Sequence, residues 1–168
     1  MTYIASSSQP QHCCVEHALS PWQTAISQGN SAFECGELLK ARDNYTVAHQ
    51  LAANLVTQFS SQPITPVVLS ALSHCCPALV IAVHNLADTY KVMTKPSLAC
   101  RWLCKVHQAM AQLLNHTDVR VQRIVVHHHY KTYYELVKFA QQYNHQSELI
   151  DSINDVLKPS PTMSKFLH

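Results

Sequence analysis

Cys100, Cys104 and His107 fall at i, i+4 and i+7, so on a helix their side chains share one face. Two thiolates and an imidazole so placed could hold zinc if a fourth ligand came from another element. His12, Cys13, Cys14 and His17 form a second cluster of the same residue types, and His74, Cys75 and Cys76 a third. The spacing matches no standard zinc motif, and a helical cysteine more often acts as a small buried hydrophobe. Cys100 and Cys104 also flank Ala99 and Leu103, which belong to an interhelical seam. His127, His128 and His129 cannot chelate one ion within a helix, because successive side chains point about 100° apart. They should straddle the helix from core edge to solvent. No resident metal or cofactor is therefore expected, and a metal or thiol sensor is an alternative reading.

A second pattern could recognise charge. Arg120, Arg123, His127, Lys131 and Lys138 lie at offsets 0, 3, 7, 11 and 18. On a helix these span about 80° of arc, and Tyr134 joins them. Such a stripe could bind an acidic peptide, a carboxylate or phosphates. It is equally what the solvated face of a long helix looks like, and Glu135 sits on its edge.

Catalytic signatures are missing. There is no Ser-His-Asp order, phosphate loop or dinucleotide loop, and two glycines in 168 residues leave no room for glycine-rich loops. The acidic residues look scattered, with no paired general acid and base. An enzyme is not expected. A formal charge of +2 is too small to signal nucleic acid. Histidine is abundant, and protonating all 12 would carry the charge from +2 to +14, so mild acid should destabilise the fold. The first residues show no basic or apolar signal-peptide run, and no stretch approaches the roughly 20 apolar residues of a membrane span. Seven cysteines, some adjacent, do not form a secreted disulfide framework. A cytoplasmic setting is the expectation.

The elements that position these residues are helices. Apolar spacing is close to 3.6 almost throughout. Residues 1–10 and 158–168 read as loose, and 11–19 as a short leading helix. Ser20-Pro21 and Thr65-Pro66 both pair a capping side chain with proline at the first helical position. They should start helices at about 21–35 and 66–93, the second kinked or broken at Pro77. Further helices are expected at 37–59, from Lys95-Pro96 to 114, 119–143, and from 145 to 157, with Asp118 as a cap.

Gly29, Phe33, Gly36, Leu38, Ala41, Tyr45 and Ala48 place small residues where two antiparallel helices would cross, with Gly36 at the reversal. This spacing resembles a tetratricopeptide repeat. Leu86, Ala87, Tyr90, Ala99, Leu103 and Val106 repeat it. Val137, Leu149, Ile153 and Val156 keep the spacing without the small residues. The joins depart from the family, whose period is about 34 residues. Here Gly29 and Ala87 are 58 residues apart, and Ala87 and Val137 are 50 apart.

The resemblance implies one all-α domain over 11–157. Its units, 22–59, 66–114 and 119–157, would stack six or seven helices as a right-handed superhelix. It also implies a groove, lined by the first helix of each hairpin, that binds extended peptides. Asn30 and Asn85 match groove asparagines. In chaperone-binding members these help clamp a terminal carboxylate, and Lys131 matches one basic partner. Ile26 and Glu135 replace the other clamp cations, so no true carboxylate clamp is implied. The expected function is binding of a protein or peptide, possibly acidic, through Asn30, Phe33, Asn85 and the basic stripe. Neither nucleic acid nor membrane is an expected partner, and a self-assembling structural role is a further alternative.

Overall fold

The computed structural model describes residues 11–158, with side chains described from Glu16 onward. Both expected loose ends lie outside that range, apart from Lys158. Among the described residues there are six helices and no strand. They are α1 (Gln11–Glu34), α2 (Leu38–Ser60), α3 (Pro66–Val92), α4 (Pro96–Leu114), α5 (Val119–Gln142) and α6 (Ser147–Leu157). Each helix packs on the next in the chain, and α1 also meets α3, as α3 meets α5 and α4 meets α6.

The first two hairpins turn in the same way. Gly36, at φ +75°, ends α1. The Glu37 N–H donates to the Ala32 carbonyl at 2.8 Å, and the Gly36 N–H to the Phe33 carbonyl at 3.0 Å. These are the two bonds of a Schellman cap. Thr94, 58 residues later, does the same at the end of α3 with φ 56°. The Lys95 N–H reaches the Tyr90 carbonyl at 2.8 Å, and the Thr94 N–H reaches that of Lys91 at 3.0 Å. A β-branched residue held left-handed is strained, so the turn is kept despite its residue.

One expectation about proline is corrected, and an alternative left open at another is decided. Ser20-Pro21 does not start a helix: α1 runs unbroken from Gln11 with Pro21 inside. Pro21 is exposed, and upstream Leu19 is buried in the main core, which rewards extending the helix. Pro77 does not break α3 into two helices. Ser73, whose carbonyl Pro77 cannot bond, is exposed, so water can satisfy it. Thr65 behaves as read: its hydroxyl accepts from the Val68 N–H at 3.3 Å, ahead of Pro66.

Helix α3 is the centre of the packing, buried on α1, α2, α4 and α5. Leu72, Cys75, Cys76, Leu79 and Val83 meet Ala52 and Val56 of α2, Met110 of α4 and Val121 and Val125 of α5 in the largest cluster. A second cluster joins Ala99, Leu103, Leu136, Phe139 and Ile153. Contrary to the sequence expectation, α3 is long and apolar enough to cross a membrane by length and composition. Its polar residues are dispersed rather than absent, and its apolar side chains are largely taken up by the other helices.

At Gly29 the α1–α2 crossing leaves no room for a side chain. A methyl group added at Gly29 would lie 2.5 Å from Tyr45 Cε1 and 2.7 Å from Cδ1. The ring is held in a buried cluster with Ala32, Ala41 and Leu86, so it cannot simply swing away. Gly29→Ala should therefore destabilise the protein by about 1–3 kcal/mol, the usual range for overpacking. In a thermal or urea double-mutant cycle the loss should be non-additive with Tyr45→Val, which removes the obstructing ring. Full additivity would show that this crossing is not what limits position 29.

Candidate functional site

Three of the expected residues come together where α1 crosses α3. Asn30 Oδ1 accepts a 2.7 Å hydrogen bond from the Tyr45 hydroxyl and a 3.3 Å bond from Asn85 Nδ2. One amide oxygen thus ties together three helices. Around it lies a cavity of about 220 Å³ lined by Asn30, Phe33, Glu34, Tyr45, Asn85 and Asp88. Burial, with Glu34 and Asp88 nearby, pushes the Tyr45 phenol up from its ordinary value.

Tyr45, Glu34 and Asp88 were not anticipated as site residues. Tyr45 was read only as an interhelical residue, and the acidic residues as scattered. Glu34 follows Asn30 by four residues and Asp88 follows Asn85 by three, so each shares a helix face with its asparagine. That spacing was legible in the sequence.

His84, one residue before Asn85, feels the charges of α5. Burial lowers the His84 imidazole's affinity for a proton, with Glu135 and Asp88 opposing that shift and Lys91 and Lys138 adding to it. Its Nε2 is buried without a hydrogen-bond partner among the described residues. Asp88 is paired with Lys91, and Glu135 with Lys138 at 3.1 Å. Glu34 has no ion-pair partner among the described residues.

The basic stripe is less free than expected. Arg120 donates from Nε and Nη2 to Asp118, which holds that carboxyl down at about 2. Asp118 also caps α5, accepting from the Arg120 N–H at 2.8 Å. Lys138 is held by Glu135 and lies 5.7 Å from the centre of the Tyr134 ring. Arg123 and Lys131 are exposed without ion-pair partners among the described residues, and His127 and Tyr134 are exposed beside them.

The three residues weighed above as a zinc face are buried. Cys100, Cys104 and His107 do share one side of α4, but that side is core. Cys100 Sγ points at the Leu149 carbonyl, 3.9 Å away, and His107 Nδ1 lies 2.9 Å from the Thr132 hydroxyl. No three His, Cys, Asp or Glu residues among those described are placed to hold a metal ion. Cys75 and Cys76 are also buried, which pushes their thiols up to about 11 and about 12 and suppresses the reactive thiolate. His74 beside them is exposed. His12, Cys13 and Cys14 lie outside the described side chains, and His17 is exposed.

The chain matches a family described as "Protein of unknown function (DUF2753)" over residues 20–162. The chain belongs to DUF2753. No curated protein and no solved structure matches it. The matched span runs from just before Pro21 to beyond α6, so the Asn30 cavity and the α5 stripe both lie within what defines the family.

Histidine burial gives this DUF2753 protein a pH dependence. His107 stacks at 4.5 Å from His129 and 6.3 Å from Tyr133, and burial followed by the His129 charge lowers it to about 4. His49, His84, His128 and His129 are lowered too, each chiefly by burial. The unfolded chain takes up these protons near pH 6.5, whereas the folded state resists until lower pH. Stability is therefore full above about pH 6.5 and falls as pH drops toward 4. His107 alone should account for about 2 kcal/mol between pH 7 and pH 5. Urea midpoints should fall over that range, and the slope should be shallower in His107→Gln. An unchanged slope in that variant would place the titration elsewhere.

Proposed function

We propose that this protein binds a segment of another protein along the face made by α1, α3 and α5. The observation that carries this reading is the continuity of that face. The cavity around Asn30 and Asn85 is walled at one side by Asp88, and Asp88 and the neighbouring His84 are close enough to Glu135 and Lys138 of α5 for their charges to act on one another. The cavity holds polar groups with unused hydrogen-bonding capacity beside the half-buried Phe33 ring. Segments bound in this manner are held by a few such polar anchors and by shape.

In this reading the six helices are three stacked hairpins of the tetratricopeptide kind, forming a right-handed superhelix with the odd-numbered helices lining its groove. The contacts of α1 with α3 and of α3 with α5, and the shared caps at Gly36 and Thr94, support that arrangement. Arg123, His127 and Lys131 extend the face toward any acidic part of the partner. The role is that of an adaptor, assembly factor or chaperone-like module.

A photo-crosslinking amino acid at Phe33 should trap a discrete adduct in the source lysate. The same group at Val47, on the exposed side of α2, should not. Raising the salt should weaken capture, since charges on this face are screened over about 8–10 Å. Equal trapping at both positions would overturn the reading.

A second reading is self-assembly through α5. Val126, Tyr130 and Tyr133 leave about half or more of their area exposed, at 53%, 66% and 44%. They recur at i, i+4 and i+7, which makes an apolar stripe on one side of the helix. Light scattering should then give a concentration-dependent dimer that Tyr130→Glu abolishes. A monomer at all concentrations would remove this reading.

A further inference from the structure

The cavity at Asn30 has a hydrogen-bonding polarity. Asn30 Oδ1 has both lone pairs engaged, by Tyr45 and by Asn85. Asn30 therefore offers only its Nδ2 donors. Asn85 has used one donor and still offers Oδ1. Glu34 offers two carboxylate oxygens with no ion-pair partner among the described residues. Asp88 is engaged with Lys91 through Oδ1, which leaves Oδ2. Acceptors thus outnumber donors, and the formal charge of the lining is negative.

The size and wall materials narrow the guest. A volume of about 220 Å³ is below the roughly 300–1,000 Å³ of pockets for drug-sized ligands and cofactors. It suits the head of one side chain. Phe33 is half-buried, so its ring forms part of the wall and can face a cation. The carboxylates do not gather as ligands around one ion, and no three-residue metal group exists among the described residues. Acceptors spread around a cavity with an aromatic wall suit a planar fork of N–H donors better than a point charge. A carboxylate would meet Glu34 and Asp88 with only the neutral amide N–H groups of Asn30 and Asn85 to offset the repulsion.

We propose that the Asn30–Asn85 cavity receives a guanidinium group, the arginine side chain of a partner segment. This rests on the reading that the face binds such a segment, and it reverses the expected polarity at this end. The acidic part of a partner belongs farther along α5, at Arg123 and Lys131.

The test is a titration of the full chain followed through its amide signals by nuclear magnetic resonance. The probes are Nα-acetyl-arginine amide and its lysine, glutamine and glutamate counterparts. The arginine compound should shift the side-chain amides of Asn30 and Asn85 saturably, with an affinity of about millimolar. Glu34→Gln with Asp88→Asn should weaken that binding about tenfold while leaving the fold intact, since both side chains are exposed. No shift at Asn30 and Asn85, an unchanged affinity in the double variant, or equal binding of the glutamate compound would overturn the proposal. Equal binding of the lysine compound would overturn the choice of guanidinium. A partner trapped at Phe33 without arginine binding would leave the partner reading standing and sink this one. Arginine binding with no trapped partner would do the reverse.

Discussion

The ring of Tyr45 resting on the backbone of Gly29 is the contact on which the rest is built. It brings α1 and α2 together at the distance of one aromatic ring and no more. It also aims the phenol at Asn30, whose oxygen then has one lone pair left for Asn85. A packing decision on α2 thereby fixes the polar geometry between α1 and α3. In the second hairpin the corresponding pair, 58 residues on, is Ala87 and Leu103, both buried. There the partner is no longer a ring and a side chain at the crossing is tolerated. That hairpin closes in the same way but presents no phenol. The cavity is accordingly a property of the first hairpin.

Much of the helical layout was legible because it depends on local chemistry. Thr65-Pro66, Asp118 and Gly36 each satisfy or release backbone groups at a helix end, and such signals act over a few residues. Ser20-Pro21 carries the same local signal and misleads, because the burial of Leu19 is a tertiary event that outweighs it. At Pro77 the local signal left a kink or a break open, and α3 runs through it as one helix packed on α1, α2, α4 and α5. The asparagine pair was legible from the repeat spacing. The acidic lining was missed because Glu34 and Asp88 are 54 residues apart in the chain and only the α1–α3 crossing makes them neighbours. The Cys100–His107 face shows the same limit of a local pattern. A shared helix face states which side residues occupy, and only packing states whether that side is a site or a core.

Charge on this protein is arranged in short-range pairs. Arg120 with Asp118, Lys138 with Glu135 and Lys91 with Asp88 all join residues close in sequence. Exposed pairs of this kind contribute about 0–1 kcal/mol each, so they matter less for stability than for what they leave over. Glu34 on α1, and Arg123 and Lys131 on α5, remain without ion-pair partners among the described residues. A formal charge near zero thus conceals free charges of opposite sign on different helices.

The cysteines give the core a chemical consequence of their own. Cys75, Cys76, Cys100 and Cys104 are buried at the helix crossings, while Cys35 is exposed. An electrophile or oxidant reaches the four buried sulfurs only when helices part. The rate at which each becomes labelled is then a clock for the opening of its own crossing, read in the native protein without denaturant. Cys75 and Cys76 report on the main core around α3, and Cys100 and Cys104 on the cluster that α6 closes. The chain carries, in its ordinary packing, a built-in map of where it breathes.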